Sequence, residues 1–171
     1  MGQNPNSHLC RKADVTATDM ESYTPLMLAV LDGHVEAFRV LLSRDSAIDE
    51  TDKDRKTIVH LAAERNHLEI LEVCKLLCYY CMTSFLSPQE IMKNKDGFKL
   101  FKSTDTNYNT PLHLAASKGN REAVELFLQS SHRSIKVDTK NELNKTPMHL
   151  AASKGHVLYV CFPLTIHRHN D

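Results

Sequence analysis

The chain has 171 residues, of which 42% are hydrophobic and 25% charged, as is typical of a globular protein. Lysine plus arginine number 21, as do aspartate plus glutamate, so the formal net charge is zero. Because nucleic acids are bound by a surplus of basic residues, this balance argues against nucleic acid as the main partner. No stretch approaches the roughly 18 apolar residues of a membrane helix, so no direct membrane insertion by this chain is expected. The odd number of cysteines, 5, and the absence of a signal peptide favour a reducing, cytoplasmic location.

Residues 1–12 are predicted to be irregular. After them, one six-residue motif, called the repeated phrase below, occurs four times. It begins with a threonine and ends with an alanine, at 24–29, 57–62, 110–115 and 146–151. The second threonine is followed by isoleucine, and the other three by proline. The threonines stand 33, 53 and 36 residues apart. The middle interval equals one period of about 33 residues plus about 20 inserted residues, so repeated units are predicted.

Each phrase has the features of a helix start. Threonine suits the N-cap, and proline at the first helical position loses no hydrogen bond. A glycine or asparagine follows at positions 33, 66, 119 and 155, where a left-handed residue ends a helix at least cost. A second apolar stretch then follows, so pairs of helices are predicted over 25–42, 58–77, 111–129 and 147–162. Among the side chains predicted to be buried are Leu28, Val40, Leu76 and Met148.

These phrases resemble the signature of the ankyrin-repeat family over residues 13–161. The resemblance implies an all-α fold: an ankyrin-repeat solenoid of about four helix-turn-helix repeats with β-hairpin fingers. The repeats would lie near 20–52, 53–85, 106–140 and 142–162. An insertion is predicted at about 78–104, with a short helix from Pro88 to about Lys95, and an irregular C-terminal tail at 163–171 after Pro163 stops the last helix.

A polar turn precedes each threonine, where the family places its fingers. The glycine usual in that turn is replaced by Ser22, Arg55, Tyr108 and Asn144. Arginine and tyrosine are poor choices for a positive φ. Two alternatives follow: the second and third fingers are distorted, or their tips are selected for contact.

The resemblance implies protein–protein recognition through the concave face of the stack, where fingers and the ends of the first helices have no packing duties. The protein partner is unidentified, and no cofactor is implied. Tyr23, Arg65 and Tyr108 are the strongest candidates for contact energy, because tyrosine and arginine dominate interfaces. The full set of predicted contact residues is Met20, Glu21, Tyr23, Leu31, Asp32, Lys53, Asp54, Lys56, Glu64, Arg65, Asn107, Tyr108, Asn109, Ser117, Lys118, Leu143, Lys145, Ser153 and Lys154.

Other reactive residues do not form a convincing catalytic or metal site. Cys74, Cys78 and Cys81 share one helical face, near His67, which is compatible with a soft metal, with oxidant sensing or with buried apolar packing. No paired C-x₂-C arrangement supports zinc, so no metal is predicted. In the family the motif histidines, here at 60, 113 and 149, tie neighbouring hairpins together. No nucleophile recurs beside them, so the chain is not predicted to be an enzyme.

An alternative function follows from a second resemblance. Divergent repeats, an insertion between them and the signs of a longer array are similar to the cytosolic ankyrin region of TRPA-type cation channels. That resemblance implies a cytosolic fragment or truncated isoform of such a channel, at the cytosolic face of a membrane. This segment alone would conduct no ions, because it has no membrane span.

Overall fold

The computed structural model describes residues 13–44, 47–83, 97–129 and 135–156, without the side chains of 78–83 and 97–98. These ranges contain helices and turns and no strand. The helices are α1 (Pro25–Leu31), α2 (Val35–Leu42), α3 (Ile58–Arg65), α4 (Leu68–Thr83), α5 (Gly97–Leu100), α6 (Pro111–Lys118), α7 (Arg121–Leu128) and α8 (Pro147–Ser153). None of the described helices is long and apolar enough to cross a membrane.

The helices begin where the repeated phrase predicts. Each of the four threonines is an extended N-cap, and the Thr24 hydroxyl accepts the backbone N–H of Met27 at 3.2 Å. After the first helices, Gly33, Asn66 and Gly119 adopt left-handed φ values of 73°, 60° and 77°. The local signals therefore confirm the predicted starts and ends of α1, α3 and α6.

The helices form a two-layer stack. In the first layer α1 packs on α3, α3 on α6 and α6 on α8, while in the second layer α2 packs on α4 and α4 on α7. Because α3 contacts α6 directly, the insertion between them in sequence leaves the stack continuous. The core lies between the layers, and its largest side chains are Phe38 and Phe127, both almost fully buried.

The region of the insertion differs from the prediction in one respect. Helix α4 continues to Thr83 and not to about residue 77, since neither glycine nor proline occurs within it. At the other end of the insertion, α5 packs on α4, and Leu100 and Phe101 are buried. The ring of Phe101 meets that of Phe127 edge to face at 5.7 Å. The predicted helix from Pro88, the second helix of the fourth unit and both chain ends lie outside the described residues.

Four side chains predicted to be core are exposed by 40–53%: Leu28, Val40, Leu76 and Met148. Val40 follows buried Phe38 by two residues, and Leu76 follows buried Cys74 by two. Two residues are about 200° of helix rotation, so both side chains lie off the buried stripe. Leu28 has the same spacing from buried Leu26. For Met148, the described residues provide no second helix of its own repeat to cover it.

Candidate functional site

Four turns of the same form precede the first helices, and we call them fingers 1 to 4: residues 19–23, 52–56, 105–109 and 141–145. In finger 2 the Asp52 carboxylate accepts the backbone N–H groups of Asp54 and Lys56, at 2.9 and 2.8 Å. The Asp52 N–H donates to the Lys56 carbonyl at 3.0 Å and closes the loop. The other fingers repeat these bonds, with an asparagine oxygen replacing the carboxylate in finger 4. The leading Asp or Asn therefore fixes each finger.

Of the two alternatives for the second and third fingers, distortion is wrong. Arg55 and Tyr108 adopt φ values of 61° and 58°, close to the 64° of Ser22 and the 56° of Asn144. A left-handed backbone costs a non-glycine residue about 1–2 kcal/mol. The repeated hydrogen bonds hold the turn despite that cost, so the type of side chain at this position does not change the shape of the finger.

The fingers are joined to one another by backbone hydrogen bonds. The Lys53 N–H donates to the Glu21 carbonyl at 3.4 Å, and the Thr106 N–H donates to the Asp54 carbonyl at 2.9 Å. The Glu142 N–H donates to the Asn107 carbonyl at 3.0 Å and joins finger 4 to finger 3. Because the second of these bonds crosses the insertion, all four fingers form one ladder.

Two of the motif histidines, in α3 and α6, link their helix to the next finger, as the family resemblance implies, whereas His149 in α8 bonds only to Thr146 among the described residues. The Nδ1 atom of His60 accepts the Thr57 N–H at 3.2 Å, so the proton of the neutral ring is on Nε2, which donates to the Asn109 carbonyl at 3.0 Å. His113 makes the corresponding bond to the Lys145 carbonyl at 3.1 Å. Burial lowers the pKa of His60 to about 4 and also lowers the pKa of His113. His60 and His113 are therefore structural links between neighbouring parts of the stack.

A second set of links runs along the ends of the first helices. The His67 ring bonds the Leu31 carbonyl at 3.2 Å, and the Asn120 amide donates to the Ala63 carbonyl at 2.8 Å. The His67 ring lies so close to Gly33 that a Cβ there would stand 2.6 Å from it. Asn66 occupies the corresponding position beside Asn120, and its Oδ1 is buried without a hydrogen-bond partner.

We define the finger face as the four fingers together with the last turns of α1, α3, α6 and α8. All predicted contact residues lie on it, and none is fully buried. The exposed ones are Met20, Glu21, Asp32, Lys53, Asp54, Arg65, Asn107, Tyr108, Lys118, Leu143, Ser153 and Lys154. The half-buried ones are Tyr23, Leu31, Lys56, Glu64, Asn109, Ser117 and Lys145. Tyr23 packs against the core, which makes it a weaker candidate for contact energy than Tyr108.

A charge cluster lies at the centre of the finger face. Glu64 lies between Lys56, at 3.0 Å, and Lys118, at 3.3 Å, so that the cluster joins α3 to finger 2 and to α6. Burial alone would raise the pKa of Glu64, but the two ammonium groups outweigh burial and hold that pKa below its usual value. Lys53 pairs with Glu21 between fingers 1 and 2. These ion pairs leave Arg65 without an ion-pair partner among the described residues.

Sequence reasoning missed several exposed side chains of the finger face. Arg55, Thr106 and Glu142 are exposed members of fingers 2, 3 and 4. Their place within the turn was the available signal, because each follows its leading Asp or Asn by one to three residues. For Arg55, contact at the fingertip was one of the two alternatives that its position suggested, although Arg55 was not included in the predicted contact set.

The cysteine cluster is only partly described. Cys74 is a buried thiol, and His67 is engaged with the Leu31 carbonyl, while the side chains of Cys78 and Cys81 lie outside the described set. Within the described part of the chain, no three side chains of the His, Cys, Asp or Glu type are grouped as metal ligands.

Two relatives are similar to this chain over most of its length. Leucine-rich repeat serine/threonine-protein kinase 1 of Caenorhabditis elegans is 30% identical over 122 residues, which are 70% of this chain and 4% of the kinase. Probable protein S-acyltransferase 23 of Arabidopsis thaliana is 31% identical over 124 residues, which are 72% of this chain and 20% of that protein. The chain thus spans a fifth or less of either relative.

The family comparison covers nearly the whole chain. A model described as ankyrin repeats in three copies matches residues 5–87 and again residues 80–164. This match agrees with the helix pairs, the linked fingers and the buried motif histidines described above. The chain belongs to the ankyrin-repeat family.

Proposed function

We propose that this chain is a protein–protein recognition module that binds a partner protein across the finger face, without catalysis. It would contain four repeats, with fingers 1 to 4 as the counterparts of the family's β-hairpins. One observation carries the proposal. Large apolar side chains at three fingertips project into solvent, with Met20 fully exposed, Leu143 70% exposed and Tyr108 55% exposed.

The construction of the fingers favours binding at these tips. Each tip is held by hydrogen bonds within its finger and by the ladder between fingers, so little backbone entropy would be lost on association. Methionine and tyrosine are enriched in interfaces, and aromatic anchors contribute much of the binding energy. The charged groups of Lys53 and Asp54 lie between these apolar tips and would form a polar rim.

A matched pair of variants tests this surface. The first is the triple variant Met20→Ala, Tyr108→Asn and Leu143→Ala, in which asparagine keeps a residue type that tolerates positive φ. The second, Val40→Ala with Leu76→Ala, removes exposed apolar side chains from the second helices, away from the fingers. Each variant and the unmodified chain would be used in affinity purification with quantitative mass spectrometry.

We expect the same set of proteins to be recovered with the unmodified chain and with the second-helix variant. Recovery should fall at least about tenfold with the triple fingertip variant, because hot-spot residues contribute about 2 kcal/mol or more. Equal recovery with the fingertip variant would refute binding through the fingertips. Equal losses of recovery with both variants would show that recovery depends on exposed apolar side chains in general and not on the fingertips.

Two finer points stay predictions. The chain is proposed to act in the cytoplasm, which imaging of the tagged chain tests. The alternative, a cytosolic fragment or truncated isoform of a TRPA-type channel, is tested by sequencing the transcripts of the gene for transmembrane helices encoded downstream. Absence of such helices from every transcript would reject the channel alternative and leave the recognition proposal unaffected.

A further inference from the structure

A cleft of about 640 Å³ lies where the end of the insertion meets the segment that leads into α3. One wall is the segment around finger 2, and the other consists of the end of α5 and the segment between α5 and finger 3. The hydroxyl oxygens of Thr57 and Ser103 lie 3.4 Å apart and join the two walls. The described lining residues are Asp49, Thr51, Arg55, Thr57, Lys99, Leu100, Lys102, Ser103 and Thr104.

The cleft is basic in a chain without net charge. Its described lining carries three cations, Arg55, Lys99 and Lys102, and one carboxylate, Asp49, which gives a net charge of +2. Arg55 and Lys99 form no ion pair with any described residue. A concave site lined by one sign of charge concentrates the field and attracts ions of the opposite sign.

Hydrogen-bond donors accompany these charges. The hydroxyl of Thr104 is half-buried in the wall and that of Thr51 is exposed, and neither has a hydrogen-bond partner among the described residues. The Ser103 hydroxyl already donates to the Leu100 carbonyl at 2.6 Å and serves the wall itself. The described lining therefore combines the Arg55 guanidinium and the Lys99 ammonium with two hydroxyls, which are donor types that bind anions.

The side chain of Arg55 distinguishes finger 2 from the other fingers. Ser22, Tyr108 and Asn144 hold the same left-handed backbone as Arg55. Arginine is thus the one cation among these four equivalent positions, and it is the one whose side chain lines the cleft. Glycine would relieve the left-handed strain there without supplying a charge.

We propose that this cleft binds a phosphate monoester. Arg55 would donate two parallel N–H bonds to the phosphate, the arrangement that suits guanidinium best, while Lys99 neutralises charge and Thr104 donates its hydroxyl proton. Arg55 and Lys99, neither of which is ion-paired to a described residue, would face the charged oxygens of the phosphate. The site adjoins the finger face at Arg55, which belongs to finger 2, and none of its lining residues is among the predicted contact residues.

The test is a titration of the full chain followed by ¹⁵N–¹H NMR. The probes are inorganic phosphate, a Gly-phosphoserine-Gly peptide and the same peptide without phosphate, all at constant ionic strength. Saturable shifts are expected at the amides of Arg55 and of residues 99–104 with both phosphorylated probes and not with the third. A peptide affinity at least about tenfold above that of phosphate assigns the site to phosphorylated protein segments. Equal affinities assign it to free phosphate groups.

Arg55→Gly separates binding from folding. It should weaken phosphate binding at least about tenfold, since hydrogen bonds to charged groups are among the stronger ones. It should also leave the melting temperature unchanged or raised, because glycine relieves the left-handed strain. Lys140→Ala, at an exposed lysine outside both the cleft and the finger face, is the matched control and should bind as the unmodified chain does.

Three outcomes would overturn the proposal. The first is unsaturable shifts spread over many lysines, and the second is undiminished binding by Arg55→Gly. The third is loss of binding together with a lowered melting temperature, which would show that Arg55 supports the fold and not a ligand.

Discussion

Replacement of Gly33 by alanine should weaken the link between the first two repeats. Gly33 has a φ of +73°, and an added Cβ would stand 2.6 Å from Cε1 of the His67 ring. The left-handed backbone costs alanine about 1–2 kcal/mol. If the ring moves aside, its bond to the Leu31 carbonyl, 3.2 Å long, is also lost, at about 1 kcal/mol. The free energy of unfolding should therefore fall by about 2–3 kcal/mol.

Gly155→Ala is the matched control, because φ there is +77° and nothing lies within 4 Å of the added Cβ. It should cost only the backbone strain of about 1–2 kcal/mol. Gly119→Ala should behave like Gly33→Ala, since the His156 ring would be 2.8 Å from the new Cβ. In the His67→Ala background, the cost of Gly33→Ala should fall to that of the control.

Urea unfolding followed by far-ultraviolet circular dichroism measures these differences in a chain that has no tryptophan. A double-mutant cycle between positions 33 and 67 should give a coupling of about 1 kcal/mol. Equal costs for Gly33→Ala and Gly155→Ala, or a coupling indistinguishable from zero, would refute the reasoning that His67 excludes a side chain at position 33.

Three further predictions follow from single side chains. Between pH 6.5 and pH 4 the free energy of unfolding should fall by about 3 kcal/mol through His60, because the pKa of His60 is about 4 in the folded chain and the unfolded chain takes up the proton first. A urea midpoint independent of pH, or an unchanged pH slope in His60→Gln, would contradict this. Asn66→Gly should stabilise the chain by about 1 kcal/mol in the same assay, because it removes the Asn66 Oδ1, a buried acceptor without a partner. A loss of stability would mean that the 3.1 Å hydrogen bond from Asn66 to Glu122 contributes more than the unpaired acceptor costs. All 5 cysteines should react in a thiol titration under denaturing conditions, and a stable native disulfide would overturn the reducing-compartment prediction.

The candidate site was predictable in outline and not in its energetics. The positions of the fingers and of the last turns of the first helices follow from the repeat spacing, and partner contact by their residues stays a prediction. Exposure does not follow from spacing, and Tyr23 packs on the core while Tyr108 projects into solvent. The cleft beside finger 2 was not predictable, because its two walls are more than 40 residues apart in sequence at Thr57 and Ser103.

The sequence alone determined the starts and ends of the first helices and the period of the stack. Each helix end depends on one local signal that acts on backbone groups within about four residues of itself: a threonine hydroxyl and a proline without an N–H at the start, and a glycine or asparagine that tolerates positive φ at the end. The period follows from the spacing of these signals. Signals of this kind act on the neighbouring backbone in the same way whatever the rest of the fold is.

The tertiary structure decided what depends on distant partners. The bond from Thr106 to the Asp54 carbonyl keeps the finger ladder continuous across the insertion, and hydrogen bonds force Arg55 and Tyr108 into the same turn as their counterparts. Which face of a second helix is buried is likewise set by the neighbouring repeat, so Val40 and Leu76 are exposed although their sequence context is apolar. In a stack each unit completes its core with the next one, and no single repeat's sequence contains that information.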